Sequence, residues 1–167
     1  KKLLREKLFD WDPKDIKLET GRHYPPYWQG FQIGAQFVFA KLLKSLGSDE
    51  IKIDLTPDTD RDATRICFAL SDHPGIFSRL SGALALVGAN VVDARSYTSK
   101  DGFTTAAFWV QDSDGAPYDK SRFSRLRGMI EKTLSGEIIT RDAIKKRDKF
   151  KKRERAFKVR TSITFNN

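Results

Sequence analysis

Apolar residues recur at every second position in several short segments of the chain, a pattern that predicts β-strands. Residues 50–56 and 63–70 both show it. Two further strands are predicted at residues 90–98 and 103–111, and the Asp-Gly pair between them is typical of a hairpin turn. The most regular alternation lies in residues 157–165, where aromatic and β-branched side chains share one face.

Helical spacing of apolar residues occurs between these segments. Residues 75–89 place apolar side chains three or four positions apart, and so do residues 119–134 and 31–46. Residues 22–28, Arg-His-Tyr-Pro-Pro-Tyr-Trp, contain too much proline for a helix interior. We expect the aromatic side chains of that segment to pack it against another part of the protein.

The order of the predicted elements from residue 63 onward is strand, helix, strand, strand, helix, strand. This order predicts an α+β, ferredoxin-like βαββαβ sandwich with both helices on one face of an antiparallel sheet. Residues 50–56 are then one strand too many, since a hairpin to residues 63–70 would compete with residues 157–165 for the same edge. We divide the chain into a mostly helical extension (1–48) and a domain (49–167) with a core (63–136), a basic helix or linker (137–156) and a final strand (157–166).

Composition permits a packed core, because 39% of the 167 residues are hydrophobic. No apolar run approaches the roughly 20 residues of a membrane helix, and no signal-peptide pattern opens the chain, so we expect a cytoplasmic protein without membrane contact. The single cysteine, Cys67, lies mid-strand, where we expect a small buried hydrophobe rather than a reactive thiol. The chain begins Lys-Lys and its one methionine is Met129, so we interpret it as part of a longer protein.

The net charge of +9 is concentrated in residues 141–158, which contain ten basic and three acidic residues. Such a run is typical of contact with nucleic acid, anionic lipid or an acidic partner, or of a solvated helix. Only Phe150 and Phe157 interrupt it with rings, which gives no stacking platform for bases.

The stretch Asp72-His73-Pro74-Gly75-Ile76-Phe77 joins a predicted strand to a predicted helix. Proline and glycine at this joint expose backbone N–H groups at the positive end of the helix dipole. A corner of this kind can hold the carboxylate of a small ligand without a catalytic side chain. The motif therefore favours a ligand-sensing function over an enzymatic one.

This motif, together with the helix end Val-Gly-Ala-Asn and the following Val-Val-Asp-Ala, resembles an ACT domain, a small amino-acid-binding regulatory module. Residues 62–136 are similar to the first of two ACT repeats in bacterial PII uridylyltransferase/uridylyl-removing enzymes. Residues 22–28 resemble the segment between that family's HD hydrolase domain and its ACT repeats. Residues 145–166 resemble the lead into the second repeat.

The resemblance implies a regulatory role, since ACT repeats of that family are associated with sensing glutamine. It implies L-glutamine as effector, a second ACT repeat or a homodimeric ACT–ACT contact as partner, and the PII signal protein as a partner of the parent enzyme. The parent would use Mg and UTP, whereas we expect no cofactor, metal site or catalytic residue in this chain. The helical extension would transmit the signal to the catalytic domains.

Carried over by motif, the ligand contacts would come from the loop and from the start of the next strand. Backbone N–H groups near Gly75, Ile76 and Phe77 would hold the α-carboxylate, and Asp72 would attract the α-ammonium group. The alternative is that Asp72 caps the helix. Asn90 and Val91 would add contacts from the same ACT unit or a neighbouring one. The implied set is Asp72, Pro74, Gly75, Ile76, Phe77, Asn90 and Val91.

Two rival functions have weaker support in the sequence. Gly47-Ser48 followed by Asp58-Thr59-Asp60 has the spacing of a nucleotidyltransferase site, but a strand separates the two and the aspartates lie in a polar turn. Lys100-Asp101-Gly102-Phe103 faintly resembles the signature of an RRM, an RNA-binding domain with the same sandwich fold, yet Thr105 stands where a second aromatic is needed. We keep RNA binding as the alternative function but do not expect nucleic acid as a partner.

Overall fold

A computed structural model of the protein describes residues 1–136. The N-terminal part is helical and is followed by an antiparallel sheet with helices inserted between and after its strands. The elements are α1 (Lys2–Lys7), α2 (Pro13–Arg22), α3 (Pro25–Gly30), α4 (Ile33–Leu43), β1 (Lys52–Asp58), β2 (Ala63–Ser71), α5 (Ile76–Leu86), β3 (Asn90–Thr98), β4 (Phe103–Gln111), a 3-10 turn (Lys120–Arg122) and α6 (residues 123–136).

The sheet has the order β1-β2-β4-β3, with every neighbouring pair antiparallel. The sequence did not determine where the strand predicted at residues 50–56 lies in the sheet. In the structure this strand is β1, which lies at the outer edge beside β2, with Asp54 opposite Cys67. The predicted strand at residues 157–165 lies outside the described residues. The edge for which the two segments would compete is thus occupied by β1, and the α+β architecture predicted from the sequence is confirmed.

One face of the sheet packs against α5 and α6, as the sequence predicted. The contacts are made mainly by aliphatic and phenylalanine side chains, and Tyr118 is the one tyrosine of this cluster among the described residues. Burial of these side chains is the main source of stability for the sandwich, at about 1.5–3 kcal/mol for each large one. Its fully buried members include Ile66, Phe68, Leu80, Leu84, Phe108, Leu126 and Ile130.

The opposite face of the sheet packs against α3 and α4, a cover that the sequence did not predict. Tyr27 of α3, Phe31 directly after it and Phe39 of α4 lie against Cys67 of β2 and Trp109 of β4. The two central strands are therefore buried on both faces, which explains why β4 reads as a nearly continuous buried run. The helical extension is part of the packed structure of this domain.

The prolines of residues 22–28 lie outside any helix interior, as the sequence predicted, and Tyr27 and Trp28 pack against the second face of the sheet. Pro25 and Pro26 begin α3, since the first turn of a helix needs no N–H donors and proline's fixed φ suits it. The helix ends after one and a half turns, at Gly30, which lies under the phenol of Tyr97. A Cβ on Gly30 would lie 1.8 Å from the Tyr97 hydroxyl oxygen, so only glycine permits this approach.

Candidate functional site: the 72–77 loop

The loop between β2 and α5 begins the helix without a side-chain cap. Gly75 is the N-cap residue and has φ of +79°, a left-handed conformation that glycine adopts without strain. The N–H of Ile76 donates to the carbonyl of His73 across the turn, at 3.3 Å. The Ile76 side chain packs into the α5–α6 core.

Asp72 does not cap α5, so the capping alternative raised by the sequence is wrong. Its Oδ1 accepts a hydrogen bond of 2.7 Å from the hydroxyl of Thr104, and its N–H donates to the carbonyl of Gly102 at 2.9 Å. Both contacts join the loop to the start of β4. Its Oδ2 receives no hydrogen bond from the described part of the chain, and the residue is exposed. One carboxylate oxygen is therefore available to a cationic group.

Backbone donors are also available beside this carboxylate. Within residues 1–136, the N–H groups of Gly75, Phe77 and Ser78 have no acceptor. The ring of Phe77 is half-exposed and stacks on Phe108, with centroids 5.3 Å apart. The loop thus combines free N–H donors, the positive end of a helix and an exposed carboxylate, a set that matches the two charged groups of an α-amino acid.

Asn90 and Val91 lie at the opposite end of the sheet from this loop. Val91 is opposite Val110 of β4, whereas Ser71, the last residue of β2, is opposite Phe103. Seven strand residues at about 3.3 Å each separate the two positions by roughly 20 Å. The possibility that both groups contact one small ligand within the same unit is therefore wrong, and the neighbouring-unit version stays a prediction. Both residues are exposed on an edge strand.

A buried polar network, which was not predicted from the sequence, attaches the N-terminal helices to the β3–β4 hairpin. Glu19 accepts from Arg22 at 3.1 Å and from His23 Nε2 at 2.8 Å, and all three side chains are almost fully buried. Arg22 also bonds Asp101 in the hairpin turn at 2.9 Å. The signal was present in the sequence, since three- and four-residue spacings place these side chains together on one face of a helix.

Tyr27 lies between this network and the sheet, and contacts both. Its ring stacks on His23 with centroids 3.6 Å apart and planes 5° from parallel. Burial, followed by the nearby Glu19 carboxylate, holds the pKa of the Tyr27 phenol well above its usual value. The phenol therefore stays neutral in this contact.

Cys67 lies beneath α3 and α4, as a buried free thiol. Burial raises its pKa to about 12. The expectation of a buried hydrophobe is confirmed, because the thiolate that reacts with electrophiles is strongly disfavoured.

The residues of the two rival motifs have structural partners. Asp58 accepts from the indole N–H of Trp109 at 2.8 Å, and the described residues contain no group of three or more side chains suited to a metal ion.

In the motif that resembles an RRM, Lys100 donates its backbone N–H to the carbonyl of Arg22 and its ammonium group to the carbonyl of Gly21. The sheet face on which an RRM would stack bases is covered by α3 and α4.

In the described part of the chain, no helix combines the length and apolar character needed to cross a bilayer.

Comparisons with known proteins relate the whole chain to one group of enzymes. It is 64% identical, over all 167 residues, to the bifunctional uridylyltransferase/uridylyl-removing enzyme of Cereibacter sphaeroides, and covers 18% of that protein. The chain is 60% identical to the enzyme of the same name from Ruegeria pomeroyi and covers 19% of that protein. The enzyme from Azospirillum brasilense is 34% identical across 98% of the chain.

No protein-family model matches the chain. The chain spans about a fifth of the length of the curated relatives that it matches. Along its whole length the chain is thus homologous to one part of bifunctional uridylyltransferase/uridylyl-removing enzymes.

Proposed function

We propose that this chain is an ACT-type regulatory module of a uridylyltransferase/uridylyl-removing enzyme and that it senses L-glutamine. The observation that carries the proposal is the 72–77 loop, where free backbone donors lie beside an exposed carboxylate oxygen of Asp72. The similarity to enzymes of that name over the full chain supports the enzymatic context. The parent protein would act in the cytoplasm on the PII signal protein, with UTP and Mg.

The position of Asn90 and Val91 determines how a complete site would form. Since these residues lie roughly 20 Å from the loop of their own unit, their contribution requires a second unit, either the second ACT repeat or another copy of the chain. Both residues lie on β3, which is an edge strand of the sheet formed by the described residues, and such a strand suits edge-to-edge pairing. We therefore propose that the site is completed at an ACT–ACT contact.

The contacts between the loop and the N-terminal helices supply a route for the signal. Asp72 is hydrogen-bonded to the backbone of Gly102, and the adjacent Asp101 is ion-paired with Arg22 at the end of α2. A ligand that moves Asp72 would alter the hairpin turn and, through it, the position of α2. Regulation further requires that glutamine bind two arrangements of these parts with different affinity.

Calorimetry with L-glutamine tests the sensor proposal. We compare this chain, a tandem protein that also includes the following repeat, and an Asp72→Asn variant, which keeps an acceptor for Thr104 but removes the charge. We expect binding by the tandem protein and about tenfold weaker binding by the variant, because a charge-assisted hydrogen bond is lost. Asp114→Asn, in an exposed loop, is the matched control and should bind normally. The proposal is abandoned if the tandem protein does not bind glutamine.

The route of the signal has its own experiment in the full-length enzyme. Asp101→Asn should leave glutamine affinity within about twofold and reduce the glutamine-dependent change in uridylylation rate, since it weakens the bond to Arg22 without touching the loop donors. An unchanged response to glutamine would exclude this route.

A further inference from the structure

A groove beside the 72–77 loop has a chemical character of its own. It lies between the start of β1, the end of β2, α5 and α6, and consists of two adjoining hollows of about 270 and 320 Å³. Asp49, Ile51 and Arg79 line both hollows, and we call this feature the Arg79 groove. Ile53 and Leu70 add apolar surface to one hollow each.

Arg79 has no anionic partner in the part of the chain that the structure describes. Its guanidinium lies 3.4 Å from the carbonyl oxygen of Leu134 and 3.5 Å from Nε2 of His73, and both distances are at the outer limit of a hydrogen bond. Its Nε–H group is buried and donates to no acceptor within residues 1–136. A half-buried guanidinium with only long contacts can bind a carboxylate through two parallel hydrogen bonds.

Two carboxylates share the groove with Arg79 without pairing with it. Asp49 lines both hollows and Glu131 lines one, yet neither lies within 4.0 Å of a cationic side chain among the described residues. A third carboxylate, Glu50, accepts from the N–H of Gly47 at the groove margin. The lining therefore holds separated charges of both signs, with more negative than positive charge.

This charge distribution selects a class of ligand. A phosphate would meet one guanidinium and three carboxylates, so repulsion would oppose the attraction. A zwitterion would place its carboxylate on Arg79 and its ammonium group toward Asp49 or Glu131, leaving its side chain against Ile51 and Ile53. We propose that the Arg79 groove binds a free α-amino acid within a single unit. This site is additional to the 72–77 loop and needs neither Asn90 nor Val91, so it does not depend on the proposed effector site.

Methyl and amide NMR of the chain, titrated with L-glutamine and separately with inorganic phosphate, tests this proposal. We expect glutamine, and not phosphate, to shift the methyl signals of Ile51 and Ile53. Arg79→Gln should weaken this response by about tenfold or more, as a charged hydrogen-bond partner is lost. Arg127→Gln removes an exposed arginine from α6 and is the matched control.

Two further variants keep the result interpretable. Asp49→Asn changes an exposed residue, so folding should be unaffected while glutamine binding weakens several-fold. Asp72→Asn should leave the Ile51 and Ile53 response intact, which separates this groove from the proposed effector loop. The proposal is overturned if these methyl signals do not respond to glutamine, if Arg79→Gln and Arg127→Gln behave alike, or if phosphate shifts the same signals more strongly.

Discussion

The two faces of the sheet are covered by different kinds of structure. On the α5–α6 face, helices inserted within the sandwich bury mainly aliphatic and phenylalanine side chains. On the α3–α4 face, helices from the preceding segment bury tyrosine, phenylalanine and tryptophan rings, next to the buried polar network of Glu19, Arg22 and His23. One cover is made of helices inserted between and after the strands, and the other of helices that precede the sheet in the chain.

The difference shows which contact is suited to change. Apolar packing depends mainly on volume and tolerates few gaps, so the α5–α6 face is expected to stay closed whenever the domain is folded. Stacked rings and buried ion pairs need specific geometry, and losing one partner leaves another unsatisfied. If the extension transmits a signal, the α3–α4 face is therefore where the contact would loosen.

The largest loss of stability is expected on the α5–α6 face. Phe68→Ala removes a fully buried ring that packs edge-on against Phe108, and should lower the free energy of unfolding by about 3–5 kcal/mol. Urea denaturation followed by circular dichroism measures this change. Leu86→Ala, at a position on α5 that is 70% exposed, is the control and should change stability by less than about 0.5 kcal/mol. Equal effects of the two substitutions would contradict the assigned core.

A smaller loss of stability is expected when the buried polar network of Glu19, Arg22 and His23, beside the α3–α4 face, is disrupted. Glu19→Gln removes the charge that both Arg22 and His23 contact, and should cost about 2–3 kcal/mol because charge-assisted hydrogen bonds are lost in a buried site. Glu6→Gln, on the exposed side of α1, serves as the control. Urea denaturation again provides the measurement, and a cost for Glu19→Gln as small as that of Glu6→Gln would show that the network contributes nothing.

Two glycines in the α3–α4 cover should respond in opposite directions. Gly30→Ala introduces a methyl group against the Tyr97 phenol and should destabilise by about 1–3 kcal/mol through overpacking. Gly34→Ala, inside α4, meets nothing closer than the Arg65 guanidinium at 3.7 Å and should stabilise by up to about 1 kcal/mol through helix propensity. Thermal unfolding of the pair tests the docked position of α3, since an undocked α3 would leave Gly30→Ala nearly neutral.

The sequence predicted those parts of the fold that local pattern determines. The strands at residues 90–98 and 103–111 and the Asp-Gly turn between them agree with β3 and β4, because alternation and turn chemistry act within a few residues. The predicted helix over residues 75–89 is shorter in the structure, ending at Leu86. The expected packing of the aromatic residues in 22–28 is confirmed, but the sequence did not predict that they cover the second face of the sheet, since contacts at long range leave no period in the sequence.

The candidate site was predictable to a similar extent. The proline-glycine joint correctly indicated a helix start with free donors, which the local sequence determines. The partner of Asp72 was not predictable, because Thr104 is 32 residues away and comes close only through the pairing of β2 with β4. The antiparallel pairing of β3 with β4 places Asn90 at the far end of the sheet, a consequence of strand direction that no motif contains.

Cys67 offers a probe that distinguishes opening of one face from unfolding of the whole domain. The thiol lies under α3 and α4, and its pKa is raised to about 12, so a thiol reagent at pH 8 should react with it only after this cover opens. We expect slow labelling of the native protein and fast labelling in urea. Gly30→Ala should accelerate native labelling more than its loss of global stability accounts for, because it opens the α3–α4 face locally. Phe68→Ala should accelerate labelling only as far as global unfolding does. If both variants label in proportion to their global stability, the two faces open together, and the α3–α4 face is not a separately adjustable contact.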